Sequence, residues 1–497
     1  MNPVERPRLV ATIAARTLRD ARREIRAAAR EGAEIAEIRW DRLPEGSWDH
    51  REELAGAALP LWAAYRSRAE GGAGVSERRR RQEILTALAG PPFDFLDLEY
   101  RRDLPAGAAL AGRLAAPGAP RPVVSYHGEA APGGPAPLVA EMAREGAIVK
   151  VVLAADTEDF LDRVLPGWPP GPLGRSVVLT TGGSGAILRA GARRLGLGYV
   201  FARSGSAAEA VEPAQLPVAP MRWFLDGPAD APLFAVVGRP VGRSRSPELH
   251  YRWMRRAGLR GLYSAIEIGS PGGLARALPF FARSGYRGLN VTAPLKRAAF
   301  ELADRREPSA AGAGAANTLT FREGRTVAAN TDVAALLQWT EERLGPGGGR
   351  RRWTVLGAGG AARAALAAAR AAGGTAEVRA RDGARARALA REFGAETPVG
   401  AGPRAEILIQ ATPAGTAGAG PLAISTEGLL GPDTWVLDLV YDPVDRSLAD
   451  RARRAGARYE EGGRVLLLQA AASFAIWWGR PPPGGIGTEP GAAEGGP

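Results

Sequence analysis

Only two of the 65 lysine and arginine residues of this chain are lysine, Lys150 and Lys296. A side chain needed only for its positive charge is arginine everywhere else, so the two lysines mark places where guanidinium cannot replace an amine. Lysine loses its proton readily when it is buried, and it then acts as a nucleophile or a base. Chance survival under a bias toward arginine, alanine, glycine and proline is the alternative for each lysine.

Lys150 lies in the apolar run 148–153, which predicts a buried strand. A buried amine there suits Schiff-base formation with a carbonyl substrate. Further ionisable groups stand at the ends of other apolar runs in the same half of the chain: Glu37, Arg39, Asp41, Arg66, Glu70, Asp97, Glu99, His127 and Arg189. A nucleophilic lysine, a histidine that moves protons and arginines that bind carboxylates make a coherent site for a keto acid. Salt bridging is the alternative for Asp41 and Glu99, and it suits His127 less because the chain has only three histidines.

The elements that must position these groups are eight short apolar runs, separated by segments rich in alanine, arginine and glutamate with helical spacing. The runs cover residues 9–14, 35–40, 59–65, 93–99, 123–126, 148–153, 177–181 and 199–202. Strands that alternate with helices predict a parallel sheet with right-handed crossovers. Eight such units predict an α/β fold of the (β/α)8 TIM barrel type, in which reactive groups gather at the C-terminal ends of the strands.

The ordered motifs E-x-R-x-D, Y-R-S-x-x-E-G-G, D-L-E and S-x-H, followed by a lysine strand, resemble type I 3-dehydroquinate dehydratase over residues 7–220. The resemblance implies an imine between Lys150 and the substrate ketone, proton transfer by His127, and orientation of that histidine by Glu70. It also implies that the dehydratase half needs no cofactor. The resemblance further implies substrate-binding roles for Thr12, Glu37, Arg39, Arg66, Arg189 and Gln215, with Arg189 facing the substrate carboxylate.

One segment departs from this family. The family closes its site with a loop that reads roughly S-A-P-G-Q, and the corresponding segment here is 211–215. Gln215 is kept, but Val211 stands at the serine position. The loss of a hydroxyl contact implies a weaker lid, which would affect KM more than the chemical step.

A segment of linker composition, 226–232, precedes a new apolar run at 233–237. Ser244 and Ser246 follow, just before Pro247. Two hydroxyls two positions apart, ahead of a proline that starts a helix, can both face a ligand. On its own this pattern would equally be an N-cap and a turn.

The apolar run 353–356 breaks at a glycine-rich turn and continues as an alanine-rich segment of helical spacing. The turn consists of Gly357, Ala358, Gly359, Gly360 and Ala361. Strand, glycine turn and helix in this order predict a dinucleotide site, because glycine lets the backbone approach the pyrophosphate and the helix N-terminus supplies N–H groups.

The next apolar run, 376–380, sets the choice of dinucleotide. Arg379 and Arg381 stand near its end, and Asp382 follows them. A guanidinium at this place favours the 2′-phosphate of NADP over the ribose of NAD. The alternative is that arginine is simply abundant throughout the chain.

The second half carries S-x-S-P-x-x-H, N-V-T-x-P-x-K, A-x-N-T-L, N-T-D, G-A-G-G-A-x-R, D-L-V-Y-D-P and a final L-L-L-Q in order. Over residues 233–480 it resembles shikimate dehydrogenase. The resemblance implies that Lys296 and Asp332 form the catalytic pair beside the carbinol or ketone while NADPH gives hydride. It further implies substrate contacts from Ser244, Ser246, Thr292, Asn317, Tyr441 and Gln469, and cofactor contacts from the glycine turn and Arg381. Val333 and Asp382 depart from the family pattern, and Asp382 places an acid close to the expected phosphate.

The resemblances imply an α/β chain with a TIM barrel in front of a two-domain unit, an α/β substrate domain plus a Rossmann-like NADP domain. The expected boundaries are 1–225 for the barrel, 226–232 for the linker, 233–345 with 464–480 for the substrate domain, 346–463 for the NADP domain, and 481–497 for a disordered tail. The implied function is dehydration of 3-dehydroquinate followed by reduction of 3-dehydroshikimate to shikimate. The alternatives are an NAD-dependent quinate/shikimate dehydrogenase fused to a dehydratase, and a non-catalytic metabolite sensor.

The net charge of +12 invites a nucleic-acid interpretation. Against it, the arginines are interleaved with acidic residues, and only 78–81 forms a run, which predicts one exposed helix face. Small anionic substrates fit this charge better. The lack of cysteine excludes thiolate metal sites and fits a reducing compartment. No apolar run reaches the roughly 18 residues of a membrane helix. Little room precedes Arg8 for a signal peptide. We therefore expect a cytoplasmic enzyme of small-molecule substrates without metal, nucleic-acid or membrane partners, and the sequence leaves its oligomeric state open.

Overall fold

A computed structural model describes residues 6–73, 77–87, 92–104, 116–129, 134–143, 146–168, 174, 176–204, 212, 214–398, 400, 402–416, 418–441 and 443–485. The predicted tail lies outside the described residues from position 486 onward, as does Val211. Among the described helices, none combines the length and the apolar content that crossing a bilayer requires.

Eight parallel strands form the first sheet, in the order β7-β6-β5-β4-β3-β2-β1-β8. They are β1 Arg8–Ile13, β2 Ile35–Arg39, β3 Leu61–Ala64, β4 Phe95–Glu99, β5 Arg121–Glu129, β6 Ile148–Ala154, β7 Ser176–Thr181 and β8 Tyr199–Arg203. β1 pairs with both β2 and β8, and a hydrogen bond from Gly198 N to Ser176 O at 3.1 Å joins the remaining edge. The predicted barrel is confirmed, with every apolar run at a strand.

Helical segments cover the outside of the barrel or follow its strands. The α-helices are Leu18–Glu31, Glu77–Ala87, Ala136–Met142, Thr157–Asp159, Gly185–Gly191 and Val218–Leu225, with a π-helical turn at Phe160–Val164 and 3-10 turns at Trp40–Arg42, Ser47–Leu54, Arg68–Glu70 and Gly182–Ser184. The first helix begins where Thr17 Oγ1 accepts from Asp20 N at 3.1 Å, and it ends at Gly32 with φ 98°. Both are ordinary end signals: a hydroxyl cap satisfies a free N–H group, and glycine tolerates positive φ.

Successive residues of the barrel strands face opposite sides, as the two-residue period of a strand requires. Val10, Trp62 and Phe201 fill the inner core, with the rings of Trp62 and Phe201 5.4 Å apart. Leu9 and Ala11 pack in the larger core outside the barrel. These side chains fill the interior of the barrel below the C-terminal ends of its strands.

The exposed face predicted for the arginine run 78–81 is wrong at Arg80. Arg78 is exposed, whereas Arg80 is 1% exposed and donates to both carboxylate oxygens of Asp103 at 2.7 Å and to Tyr65 O at 2.7 Å. Arg80 shares a helix face with the buried Ile84, four residues on, and that face turns toward the barrel.

The second half contains two further sheets. The first has the order β10-β9-β11-β13-β14-β12, in which β9, β10 and β11 are parallel and β13 pairs with its neighbours antiparallel. Its strands are β9 Leu233–Gly238, β10 Leu262–Glu267, β11 Tyr286–Val291, β12 Arg305–Arg306, β13 Thr318–Arg322 and β14 Arg325–Ala329. Its helices are Ser246–Arg256, Pro271–Arg283, Lys296–Leu302, Pro308–Ala313 and Thr331–Leu344.

The last sheet is wholly parallel, in the order β16-β15-β17-β18-β19. Its strands are β15 Arg352–Leu356, β16 Thr375–Arg379, β17 Ile407–Gln410, β18 Trp435–Asp438 and β19 Arg458–Glu461, with helices Gly360–Ala371, Gly383–Phe393 and Ser447–Arg454. The final helix, Gly463–Trp478, returns to the preceding sheet, where the rings of Trp477 and Phe234 lie 4.9 Å apart. The strand-turn-helix order that predicts a dinucleotide site is therefore present.

The barrel and the second sheet share one continuous hydrophobic core, which contains Leu225 and Leu233 on either side of the segment 226–232. Arg193 donates to Gly227 O at 2.8 Å and Arg194 donates to Ala231 O at 2.7 Å. The segment of linker composition is thus fastened to the barrel surface.

Candidate active sites

Lys150 lies in the middle of β6 with 2% of its surface exposed. Its Nζ donates to Oε1 of Glu37 at 2.5 Å and to Oδ2 of Asp97 at 3.0 Å. Thr12 donates to the other carboxylate oxygen of Glu37 at 3.1 Å, and Gln215 Nε2 donates to Thr12 Oγ1 at 3.0 Å. The structure therefore places predicted site residues from β1, β2, β6 and the segment after β8 around one buried amine.

Asp97 is one of the ionisable groups expected at the strand ends, but the family resemblance gives it no role of its own. Burial alone would raise the pKa of this carboxyl, but the charge of Lys150 holds its pKa below the ordinary range. Asp97 lies two residues after Phe95 on β4, and Phe95 belongs to the inner core. The two-residue period along the strand is the signal that places Asp97 inside the barrel.

His127 stands between a carboxylate and a guanidinium. Its Nδ1 lies 2.8 Å from Oε2 of Glu70, and its Nε2 lies 2.6 Å from Nη2 of Arg66. Arginine can only donate, so Nε2 accepts and Nδ1 carries the proton that is directed at Glu70.

Burial and then the positive charges of Arg66 and Lys150 lower the pKa of His127 well below its ordinary value. Burial and then the charge of Glu99 raise the pKa of the Glu70 carboxyl to about 8. Both groups therefore favour their neutral forms in this site, with the Nδ1–H group of His127 directed at Glu70.

Arg39 and Arg189, both predicted to bind substrate, are buried. Arg39 forms a bidentate ion pair with Asp41 at 2.8 and 2.7 Å, which is the salt bridge considered for that aspartate. Arg189 donates from Nη1 to Thr180 O at 3.1 Å and to Gly185 O at 2.6 Å, and its buried Nε has no hydrogen-bond partner within the described residues. Burial lowers the pKa of Arg189 to about 10. A buried guanidinium with an unsatisfied nitrogen suits an anionic ligand.

A second polar cluster surrounds Lys296, the first residue of its helix. Lys296 Nζ donates to Oδ2 of Asp332 at 2.6 Å, and both side chains are 15% exposed. Asn317 donates to the other oxygen of Asp332 at 2.8 Å and reaches Oε1 of Gln469 at 3.5 Å. Four predicted site residues thus meet around an amine that a ligand can approach.

The two predicted serines lie at the start of helix Ser246–Arg256. The Ser246 N–H donates to Ser244 Oγ at 3.3 Å. Ser246 is buried and hydrogen-bonds Tyr263, which donates to Asn290 Oδ1 at 2.7 Å. Tyr263 and Asn290 were not predicted as site residues. Together they form a hydrogen-bonded chain that holds the Ser246 side chain in place.

Thr292 and Tyr441 approach from two other elements. Thr292 follows β11, is partly exposed, and donates from its N–H to Val237 O at 2.9 Å. Tyr441 follows β18 and is partly exposed, with the Arg245 guanidinium 5.9 Å from its ring centroid. Both residues lie just beyond the ends of parallel strands.

The glycine turn after β15 fits a dinucleotide. Gly357 has φ 122°, and a β-carbon there would lie 3.1 Å from Ala411 O. Gly359 caps helix Gly360–Ala371, and a β-carbon there would have no neighbour within 4 Å. An open space in front of the first free N–H groups of a helix is what a pyrophosphate occupies.

Asp382, the acid expected close to the phosphate, has a structural role just beyond the end of β16. Asp382 accepts from Ala384 N at 3.0 Å and Arg385 N at 3.1 Å, so its carboxylate caps helix Gly383–Phe393. Arg379 is held by Glu377 at 2.8 Å, whereas Arg381 is exposed. Arg381 therefore presents its side chain to solvent just beyond the end of β16.

Within the part of the chain that the structure describes, no group of three or more histidine, aspartate or glutamate side chains is placed to hold a metal ion. The chain has no cysteine that could add a ligand.

Comparisons with known proteins match the two halves of the chain separately. A family model described as Type I 3-dehydroquinase matches residues 9–226, and one described as Shikimate dehydrogenase substrate binding domain matches residues 236–319. Shikimate dehydrogenase (NADP(+)) of Acidiphilium cryptum is 39% identical over 258 residues, which are 51% of this chain and 92% of that relative. The protein of the same name from Paracoccus denitrificans is 39% identical over 276 residues, 52% of this chain and 94% of that relative. A crystal structure of shikimate dehydrogenase from Aquifex aeolicus is 29% identical, covers 52% of this chain and 97% of its own, and has a TM-score of 0.47.

Proposed function

Because the chain belongs to the shikimate dehydrogenase family and carries a type I 3-dehydroquinase domain ahead of it, we propose that it catalyses two consecutive steps. The barrel dehydrates 3-dehydroquinate to 3-dehydroshikimate, and the second half reduces that product to shikimate with NADPH. The observation that carries this proposal is that each of the only two lysines lies against a carboxylate inside a polar cluster. A metabolite sensor would need the pockets but not these amines.

In the barrel, Lys150 supplies the nucleophile. Glu37 and Asp97 lie within hydrogen-bond distance of its Nζ and can take the proton that the ammonium must lose. The neutral amine adds to the substrate ketone, water leaves, and the resulting iminium acidifies the adjacent C–H. His127 takes that proton and returns one to the departing hydroxyl, so that water is lost and a double bond forms. Hydrolysis of the imine then frees Lys150.

The remaining barrel residues bind and orient the substrate. Arg189 offers a buried guanidinium with an unsatisfied Nε to the substrate carboxylate. Thr12, Glu37, Arg39, Arg66 and Gln215 are proposed to hold the hydroxyl groups and the ring. The dehydratase half needs no cofactor, because the iminium itself accepts the electron pair.

In the second half, Lys296 and Asp332, which are joined by a hydrogen bond of 2.6 Å, are proposed to deliver the proton to the substrate carbonyl oxygen. Ser244, Ser246, Thr292, Asn317, Tyr441 and Gln469 are proposed to bind the carboxylate and ring hydroxyls. NADPH, when bound at the glycine turn, supplies the hydride. The relatives are named for NADP(+), and Arg381 is exposed at the end of β16 while Asp382 is used as a cap, which together support NADP over NAD.

The test is a single reaction mixture of the full chain, 3-dehydroquinate and NADPH, in which the absorbance of NADPH is followed. The proposal predicts that NADPH is oxidised without any added dehydratase, and that NADH in its place supports a much slower reaction. In the oxidative direction, shikimate with NADP⁺ should react much faster than quinate with NAD⁺. A chain that oxidises NADPH only when 3-dehydroshikimate is supplied would remove the dehydratase from the proposal, and a chain that prefers quinate and NAD⁺ would replace it with the rival dehydrogenase.

A further inference from the structure

Two barrel segments that follow β6 and β7 are in contact with the second half of the chain. Thr157, which begins the short helix after β6, is 2% exposed and donates from Oγ1 to Glu267 O at 2.5 Å. Glu267 is the last residue of β10, in the sheet that follows the barrel. A buried hydroxyl therefore joins the C-terminal end of a barrel strand to a backbone carbonyl of the other half.

The 3-10 turn after β7, Gly182–Ser184, packs against the same residue. A β-carbon on Gly183 would lie 3.1 Å from Cβ and 3.4 Å from O of Glu267, so the turn and Glu267 are in direct contact. On its other side, Ser184 Oγ donates to Ala155 O at 2.7 Å. The turn is thus held between the end of β6 and the second half of the chain.

This turn sits among the groups that position the proposed carboxylate-binding residue. Arg189 donates to Thr180 O, at the end of β7, and to Gly185 O, immediately after the turn. Gly182 N donates to Glu212 Oε1 at 3.3 Å, and Glu212 precedes Gln215 by three residues. A displacement of the turn would therefore move the carbonyls that orient Arg189.

A more exposed contact lies beside the buried one. Glu158 accepts from Ser270 Oγ at 2.7 Å and from Arg276 Nη2 at 2.5 Å, at the N-terminus of helix Pro271–Arg283. The charges of Glu158 and Arg276 are 39% and 44% exposed, so solvent screens this ion pair. It offers a control at the same interface.

We propose that Thr157 is a positioning residue for the dehydratase, and that the second half of the chain, through the Glu267 carbonyl, holds the turn Gly182–Ser184 where Arg189 can bind the substrate carboxylate. This inference rests on the proposed dehydratase function. Its consequence is that the dehydratase depends on the reductase half for substrate binding and not for chemistry.

The test compares full-length Thr157→Val and Thr157→Ser chains. Valine keeps the shape but removes the donor, whereas serine keeps the donor. Loss of one buried hydrogen bond corresponds to roughly a threefold to tenfold change in an equilibrium. We expect Thr157→Val to raise the KM for 3-dehydroquinate by about that factor with kcat within about twofold of wild type, and Thr157→Ser to restore the wild-type KM.

Two further variants serve as a second test and a control, and the reductase activity serves as a check on folding. Gly183→Ala, which places a methyl group 3.1 Å from Glu267 Cβ, should raise the same KM, and Arg276→Ala should leave it unchanged. Reduction of 3-dehydroshikimate with NADPH reports whether each variant is folded, and we expect it unchanged in all four.

Equal KM values for wild type and Thr157→Val would overturn the inference while leaving the proposed function intact. A fall in both activities and in the unfolding temperature would reduce Thr157 to a structural role and would also overturn it. If wild type itself fails to dehydrate 3-dehydroquinate, the proposed function fails and the inference fails with it.

Discussion

Lys296 lies so close to Gly360 that a β-carbon on the glycine would come within 2.6 Å of Cβ of the lysine. The aliphatic carbons of the lysine proposed to move the proton therefore pack on the first residue of the helix proposed to bind the cofactor pyrophosphate. Two parts of the reductase site that are 64 positions apart in the sequence are in contact because one of them lacks a side chain.

This contact predicts the effect of adding one methyl group. Gly360→Ala should displace Lys296 from Asp332 and lower kcat for reduction of 3-dehydroshikimate by about tenfold or more, since misplaced groups lose catalytic geometry steeply. Gly359→Ala is the matched control, because a β-carbon there has no neighbour within 4 Å. It should raise the KM for NADPH and leave kcat within about twofold. Equal kcat values for the two variants would show that the close packing on Lys296 does not matter.

The second prediction concerns the imine. Borohydride added with 3-dehydroquinate should reduce the imine to a stable secondary amine, and mass spectrometry should find the adduct on the peptide with Lys150. Lys150→Arg keeps a cation between Glu37 and Asp97 but cannot form an imine, so it should show no adduct. An adduct on Lys296 instead, or none on the active wild-type chain, would contradict the assignment of Lys150.

A third prediction tests the buried arginine. Arg80→Met would leave the buried Asp103 without its cation and Glu99 with only Arg102, at 3.8 Å. In the wild type, Arg80 Nη2 lies 2.7 Å from Asp103 Oδ2 and 3.5 Å from Glu99 Oε2. Removal of one partner from a buried pair costs about 3–5 kcal/mol of the free energy of unfolding. Arg78→Met, at an exposed position two residues away, should change it by about 0.5 kcal/mol or less. Urea titration of both variants measures the difference, and similar midpoints would mean that Arg80 is not buried.

The fourth prediction concerns acid stability. His250 is buried against Tyr263, with ring centroids 4.3 Å apart, and its Nε2 has no partner within the described residues. Burial lowers the pKa of His250 from 6.5 to about 3. As the pH falls below 6.5, the unfolded chain takes up a proton that the folded chain refuses. The stabilising effect of neutral His250 is therefore present above pH 6.5 and is lost as the pH falls toward 3.

The corresponding experiment uses His250→Phe, which keeps the ring and removes the titration. Its stability relative to wild type should rise by up to about 1.4 kcal/mol for each pH unit below 6.5. His50→Asn, at an exposed histidine, should follow wild type at every pH. Parallel urea midpoints for wild type and His250→Phe between pH 7 and pH 5 would exclude the buried neutral histidine as a source of acid sensitivity.

Much of this fold follows from local patterns. The apolar runs predicted all eight barrel strands, and the rule that reactive groups gather at strand ends brought Glu37, His127 and Lys150 to one mouth. Asp97 belongs to the same pattern, because it shares a strand face with Phe95, although the family resemblance gives it no role of its own. Local spacing is therefore sufficient to predict the secondary-structure elements and the site residues that lie on the strands.

Long-range pairing is what the sequence alone does not contain. Arg80 is one of four consecutive arginines, and its partner Asp103 is 23 residues away. Thr157 meets a backbone carbonyl 110 residues away, and a carbonyl leaves no mark in residue type. Asp382, which is close to the expected phosphate in the sequence, is a local case, because its carboxylate caps the helix that begins at the next residue. For Arg80 and Thr157, the packing of separate elements decides the partner.

The most direct measurement uses two single-lysine variants that each disable one half, Lys150→Ala and Lys296→Ala. Each is given 3-dehydroquinate and NADPH, first alone and then mixed. Neither should oxidise NADPH alone, and the mixture should do so, because Lys296→Ala releases 3-dehydroshikimate and Lys150→Ala reduces it. NADPH oxidation from 3-dehydroquinate by either variant alone, or an inactive mixture of two folded proteins, would contradict the account.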